Sequence, residues 1–229
     1  DPVAATAKAE ELMSMAVARA RHLKPLPTGQ PPVTAAALIV GGGLAGMTAA
    51  LGIAGQGFEV HLVEKEPALG GLLRNIHSTL ERADVQNYLR ELVAKVQSHP
   101  KIHVYLKATP ASISGHVGHF KSVLNVDGEE KPISHGVVII ASGGQERSTE
   151  LYLHGKNPHV TTQSKLEAAL AGGALPGELA GRPDPTVVMI QCVESRNDEN
   201  PHCSRVCCSE AVKNALEIKR RLPRANVVV

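Results

Sequence analysis

The spacing of apolar positions changes several times along the chain, and each change marks an element. In "AATAKAEELMSMAVARARHL", Leu12, Met15, Ala16, Ala20 and Leu23 share one stripe at helical spacing, with Arg19 at its edge; this predicts an amphipathic helix packed on a core. "KPLPTGQPPVT" ends it, because proline bars helix and favours extended backbone, and a stiff linker is expected. At Ala35 the period disappears: "AAALIV" is an unbroken apolar run of the kind that makes a parallel strand buried on both faces. A helix from Leu44 to Gln56 and the strand "EVHLVE" come next.

Helical spacing returns in "DVQNYLRELVAKVQSH", with Val85, Tyr88, Leu89, Leu92, Val93 and Val96 on one face. "KIHVYLK" alternates as a strand does, and "ASISGHVG" with "HFKSVLNV" predicts a small antiparallel meander ending at the turn "DGEE". "GVVIIASGG" reads as a second buried strand running into glycines, and a short helix near "SKLEAALAG" leads to another linker, "GELAGRPDP". The opening order then repeats, with "TVVMIQC" as a buried strand, "SEAVKNALEIKRR" as a helix and "ANVVV" as the start of a further strand. Strands alternating with helices predict an α/β fold. The expected organisation is a helix and linker over residues 1–34, a Rossmann-like dinucleotide-binding domain over 35–182, and the opening of a second βαβ domain over 183–229. The first residue is Asp1 rather than Met and the last strand has no sheet to finish, so the sequence reads as a piece of a longer protein.

Composition removes several function classes. A net charge of +2 with dispersed basic residues, no tryptophan, three tyrosines and two phenylalanines leaves almost no stacking platform for nucleic acid. No apolar run approaches the ~20 residues a membrane helix needs. Four cysteines in 229 residues are too few for a secreted disulfide framework, so a cytoplasmic location is expected.

"LIVGGGLAGMTAALGIAGQGFEVHLVEKE" places Gly41, Gly43 and Gly46 as G-x-G-x-x-G between a buried strand and a helix. The first glycine permits the tight turn, the second lets backbone amides reach a pyrophosphate, and the third lets the helix pack closely on the strand. The loop Gly41, Gly42, Gly43, Leu44, Ala45 and Gly46 then presents helix N–H groups to phosphate. Glu64, followed by Lys65, closes the second strand where a carboxylate accepts from ribose hydroxyls and disfavours a 2′-phosphate. NAD and FAD share this fingerprint. "KEPALGGLLRN" and "VVIIASGG" separate them: the paired Gly70 and Gly71, and Ala141, Ser142 and Gly143, resemble segments of the two-dinucleotide-binding-domain flavoproteins, with Ser142 where those proteins carry threonine. That resemblance implies FAD, and adds Leu72 and Arg74 to the expected cofactor contacts.

All four cysteines lie in "CVESRNDENPHCSRVCC", in the turn where a second nucleotide-binding domain would carry its own glycines. A disulfide between the adjacent Cys207 and Cys208 would be strained, and no C-x-x-C dithiol is present. An iron–sulfur cluster, a four-thiolate zinc site and redox or inert thiols remain open; zinc modules usually show paired C-x2–4-C knuckles, whereas a cluster tolerates irregular spacing. Cys203 and Cys207 stand one helical turn apart, with Cys208 beside them and Cys192 arriving from the strand end. His202 is a further candidate ligand, while His61, His77, His116 and His119 are expected on solvent-facing strand and loop positions.

Together "GGGLAGMTAAL", "GFEVHLVEKEPALGGLLR", "ISHGVVIIASGG" and, above all, "IQCVESR" followed by "PHCSRVCCSEAVKNALEIK" resemble the heterodisulfide reductase family, in its FAD and iron–sulfur subunit. The resemblance implies a cytoplasmic FAD protein whose Cys192, Cys203, Cys207 and Cys208 hold a 4Fe–4S cluster. It also implies a multi-subunit complex passing electrons among a donor module, ferredoxin and a disulfide-reducing partner, with flavin-based bifurcation in the methanogen forms. Those forms insert a ferredoxin-like module near the paired glycines, where this chain runs on as "GGLLRNIHSTLERADVQ". The alternatives are a non-catalytic zinc-binding scaffold, which would be colourless, and an NAD(P)H-dependent flavin disulfide reductase, which would show flavin bands alone. The missing C-x-x-C and second glycine loop speak against the latter.

Overall fold

The computed structural model describes all residues except 26–28, 30, 31, 174–178, 180 and 183. Parts of both expected linkers lie outside the described residues. Two compact units result, Asp1–Pro32 and Val33–Val229. The first is the helix α1, Pro2–Arg21, started by the Asp1 carboxylate accepting from the Val3 N–H at 2.9 Å, with proline at its first position. None of its residues is buried, so the expected packing of its apolar stripe on a core is not found within that helix. No helix among the described residues is long and apolar enough to cross a membrane.

The second unit is built on a parallel sheet of β1 (Ala36–Val40), β2 (Glu59–Val63), β3 (Ile102–Tyr105) and β7 (Val137–Ile140). Their order is β3-β2-β1-β7, with Leu38 facing His61 and Val138 across the two ladders of β1. Alternation sends neighbouring residues to opposite faces. On one face Ile39, Val60 and Leu62 pack against Met47, Ala50 and Ala54 of α2 (Leu44–Ala54) and Leu89, Leu92 and Val96 of α3 (Val85–Ser98). On the other, Leu38 and Val63 meet Ala108, Leu124 and Ile133 of an antiparallel meander. The meander comprises β4 (Ala108–His116), β5 (His119–Val126) and β6 (Glu129–His135).

Four expectations are corrected. Tyr88 is 49% exposed, because it sits on the shoulder of the α3 stripe rather than over the sheet. The meander has a third strand, β6, beyond the turn at Asp127 and Gly128, whose φ values of 52° and 94° suit a tight hairpin. β7 is an edge strand with β1 as its neighbour, which leaves Val137 and Ile140 exposed instead of buried. "TVVMIQC" forms only the short β8 (Thr186–Val188), paired with β9 (Asn226–Val228) in a two-stranded sheet; Met189 is buried, but Val188 and Ile190 are exposed. α4 (Gln163–Ala171) and α5 (Cys207–Arg221) cover that small sheet, burying Leu166, Leu170, Met189, Ala211, Ile218 and Ala225 together.

His61 also departs from its expected solvent-facing position. It is half-buried on the meander face of β2, 3.1 Å from the Tyr105 hydroxyl and stacked on His103. Desolvation, then the charge of His103, holds its pKa below the usual 6.5. His135, fully buried in the meander, is depressed for the same first reason. Its Nδ1–H donates to the Val137 carbonyl at 3.0 Å and its Nε2 accepts from the Ser122 hydroxyl at 2.7 Å, the pattern of a neutral imidazole. Because the unfolded chain binds these protons more readily, their contribution is complete above pH 6.5 and falls as pH drops below it. Glu217, held down to about 2 by Arg220 and Arg221, adds a loss in the same direction at lower pH, below 4.5. Glu210, pushed up by burial, acts oppositely above 4.5. The urea midpoint is expected to be lower at about pH 5.5 than at about pH 7.5, with a smaller difference in His135→Gln.

Candidate functional site

Between β1 and α2 the chain turns through the three consecutive glycines Gly41, Gly42 and Gly43. Gly41 has φ +113°, and a side chain there would run into the Ala141 carbonyl, while one on Gly46 would run into the Gly41 carbonyl. Those two glycines are required by the fold. Gly42 is buried, and a Cβ on it would lie 2.5 Å from Leu69 Cδ2 and 3.0 Å from the Glu64 carboxylate. Gly43 differs: its φ of −77° and ψ of −170° suit any residue, and a Cβ there meets nothing within 4 Å. It caps α2 with no side-chain hydrogen bond, so the first amides of the helix are left for an outside acceptor. Leu44 and Ala45, in the first turn, are exposed.

The fold brings the separate glycine segments together. Gly70 N–H donates to the Gly42 carbonyl at 2.8 Å, and a Cβ on Gly71 would stand 3.2 Å from the Gly43 Cα. Both have positive φ, +123° and +51°, which suits glycine. A 3₁₀ turn, Gly71–Asn75, follows; Leu72 and Arg74 project from it exposed. On the other side, Ala141 N–H donates to Val40, and the chain passes over Gly41 into the exposed Ser142 and Gly143. Lys65 is exposed and 4.0 Å from Glu66, a pairing of little energetic weight.

Glu64 is 6% exposed. Its Oε2 accepts from the Gly42 N–H at 2.7 Å and its Oε1 from the Glu66 N–H at 2.9 Å. The carboxylate therefore fixes the glycine turn first, and each oxygen keeps a further lone pair that a hydroxyl can use.

The four cysteines are all free thiols. Cys192 follows the end of β8 at φ 59°, Cys203 is exposed and accepts from the Arg205 N–H at 3.3 Å, and Cys207 and Cys208 open α5. The charge of Cys207 raises the Cys208 pKa most, followed by desolvation; Cys192 and Cys203 add to the same shift, so all three other thiols are felt at Cys208. A cluster or metal ion asks for such a thiol set, and α5 begins without a side-chain cap. Even so, no group of three or more His, Cys, Asp or Glu among the described residues is gathered closely enough to hold a metal ion. His202, Arg196 and Arg205 are exposed.

Sequence reasoning missed Glu167. It is 4% exposed in α4; its Oε2 accepts from Lys213 of α5 at 2.5 Å and its Oε1 from the His77 N–H at 2.7 Å. This carboxylate ties the chain beyond the paired glycines to the helix that opens with Cys207 and Cys208. Its one signal was position: an acid beside Leu166 and three residues before Leu170, both core residues. A cleft of about 310 Å³ lies at the same junction, lined by Ile76, Thr79, Val206, Ser209, Glu210 and Lys213. It adjoins both the segment leading from Gly70–Gly71 and the first turn of the thiol helix.

Known proteins resemble this chain in sequence and in fold. Residues 35–174 match the family model described as pyridine nucleotide-disulphide oxidoreductase. One subunit of the ferredoxin:CoB-CoM heterodisulfide reductase of Methanosarcina mazei is 30% identical over 318 aligned positions, covering 100% of this chain and 40% of that protein. An iron-sulfur subunit of the CoB–CoM heterodisulfide reductase of Methanopyrus kandleri is 29% identical, covering 99% of this chain and 48% of that protein. This chain thus spans less than half the length of these curated relatives. The alignment of 318 positions exceeds the 229 residues of the chain, so the Methanosarcina protein carries insertions within the shared region. Among solved structures, L-proline dehydrogenase from P. horikoshii superposes with a TM-score of 0.51 at 20% identity, over 90% of this chain and 37% of that one, a likeness of fold.

Proposed function

This chain belongs to the pyridine nucleotide-disulphide oxidoreductase family, and from that premise we propose that it is the FAD- and iron–sulfur-carrying portion of a heterodisulfide reductase-like electron-transfer protein. One observation carries the proposal: the first βαβ unit offers an open glycine cradle at Gly43, whereas the second opens its helix with Cys207 and Cys208 and carries Cys192 and Cys203 in the turn before it, all four free thiols. A bound FAD would exchange one or two electrons and a cluster one, so the two on one chain would let two-electron chemistry feed a one-electron path.

The same proposal assigns each residue a role. Gly43 and the first amides of α2 receive the pyrophosphate, with Glu64 offering its remaining lone pairs to the adenosine ribose. Gly70, Gly71, Leu72 and Arg74 flank the cofactor on one side and Ala141, Ser142 and Gly143 on the other, within a flavin domain over 35–182. Cys192, Cys203, Cys207 and Cys208 hold a 4Fe–4S cluster in a thiol domain over 183–229, and Arg196, Arg205 and the α5 amides offset its negative charge. The whole protein works in the cytoplasm with other subunits, an electron-donor module and ferredoxin, toward a disulfide-reducing partner; bifurcation at the flavin belongs to the same proposal.

Serine in place of Cys203 or Cys207 tests the thiol half. Iron, acid-labile sulfide and the brown shoulder are expected to be lost in each variant, while the flavin bands remain. Full iron occupancy in both variants contradicts the proposal.

A further inference from the structure

The helices α4 and α5 are bound into one body. Asn214 of α5 is buried, and its Nδ2 donates to the Gln163 side-chain oxygen at 2.9 Å and to the Gln163 carbonyl at 3.2 Å. Arg221 donates to the Leu170 carbonyl at 2.6 Å, and Leu166, Leu170, Ala211 and Ile218 share a core. The segment that leaves the glycine cradle is braced separately. Gly70 N–H is bonded to the Gly42 carbonyl, Gly71 lies against Gly43, and Gln86 of α3 donates to the Leu73 and Ile76 carbonyls at 2.8 and 2.5 Å. Between the two lies the cleft of about 310 Å³, with Ile76 and Thr79 on one side and Val206 and Ser209 on the other. Beside that cleft Glu167 ties them together, its Oε1 accepting from the His77 N–H at 2.7 Å and its Oε2 from Lys213 at 2.5 Å.

The two ends of this tie differ in how firmly the fold holds them. Glu167 and Lys213 are nearly buried and paired, so the carboxylate stays where α4 and α5 put it. The turn Gly71–Asn75 has no buried residue, and Gly70 and Gly71 have the backbone freedom of glycine, so its order depends most on what rests against it. Resting on the assignment of FAD to the cradle, we propose that Glu167 is a latch that relays occupancy of the cradle to α5. A cofactor seated at Gly43 steadies the backbone from Gly70 to His77, and the His77 N–H then holds Glu167, and with it the α4–α5 body. Parting the two sides would leave a backbone donor and a buried carboxylate oxygen without each other, a cost that resists opening. Glu167 acts through His77, so it is a positioning residue. If it served structure alone, it would hold α4 to α5 and leave α5 indifferent to the cofactor.

The test compares amide hydrogen exchange along α5 in the full chain with and without FAD, under conditions where α5 opens locally and not with the core. FAD is expected to slow exchange across Cys207–Arg221 at least about fivefold in the parent chain. Glu167→Leu combined with Lys213→Met replaces the buried charges by an apolar pair, which preserves the fold and removes the acceptor for His77. In that double variant FAD is expected to bind and to leave α5 exchange unchanged. Ile218→Val loosens the core under α5 without touching Glu167, and there the slowing is expected to persist. Exchange in α5 that ignores bound FAD in the parent chain would overturn the inference, as would slowing that survives in the double variant or disappears in Ile218→Val. A parent chain that binds no FAD would instead remove the cofactor assignment itself, and the latch with it.

Discussion

Valine at position 43 is expected to strip the flavin from a chain that still folds. Gly43 has ordinary extended dihedrals, and no protein atom lies within 4 Å of the place where its Cβ would stand. No steric demand of the fold therefore requires glycine there, and the poorer N-cap that valine makes costs about 1 kcal/mol at the start of α2, well short of unfolding the domain. What valine fills is the space above the first amides of α2, where a phosphate must come within hydrogen-bonding distance. FAD affinity should fall at least about a hundredfold, about 2.7 kcal/mol. Gly41 and Gly46 serve as contrasts, since a side chain at either meets a backbone carbonyl and should cost the fold itself. Flavin content after gel filtration, read beside the thermal midpoint, separates the two classes. A Gly43→Val protein with stoichiometric FAD would remove this loop from the site.

The second large effect is expected at Glu167, where leucine should destabilise the chain by about 3–5 kcal/mol. The Glu167 and Lys213 side chains are only 5% and 11% exposed, so removing the acid leaves an ammonium buried without its partner. The His77 N–H loses its acceptor at the same time. Lys213→Met in the same chain should recover most of the loss, because an apolar pair of similar volume avoids the buried charge. The recovery should stop short of complete, since His77 stays unpaired. Urea denaturation of both single variants and the double variant measures the coupling. A loss within about 1 kcal/mol for the single substitution would mean that water reaches the pair.

The sequence was most informative where one local pattern had one structural outcome. The unbroken run at Ala36–Val40, the helix Leu44–Ala54 and the amphipathic Val85–Ser98 formed as their periods required. It was less informative where exposure depends on a distant neighbour. "VVII" of β7 has the same apolar character as β1, but β1 has a strand on each side while β7 pairs with β1 at the edge. The third meander strand, "EEKPISH", hides behind its charges and Pro132, which an edge strand tolerates because its missing N–H breaks no shared ladder. The glycine fingerprint could be read from its spacing: Gly41 and Gly46 answer local steric demands, while Gly43 leaves the approach to the first amides of α2 open. The acid at Glu64, after the second strand, was legible as a position, but its bonds to Gly42 and Glu66 were not, since they depend on how the turn folds back over the strand end. Glu167 stayed hidden for a related reason: its partners lie 90 and 46 residues away. The thiols of "CVESRNDENPHCSRVCC" were conspicuous in the sequence, whereas their common influence on Cys208 depends on the fold.

The central claim, one flavin and one cluster on the same chain, is tested most directly by an absorption spectrum of anaerobically purified protein, read with its iron, zinc and acid-labile sulfide contents. The account predicts flavin bands on a broad brown shoulder, with about four iron and about four sulfide per chain. One equivalent of zinc without labile sulfide, or flavin bands with no iron, would contradict it.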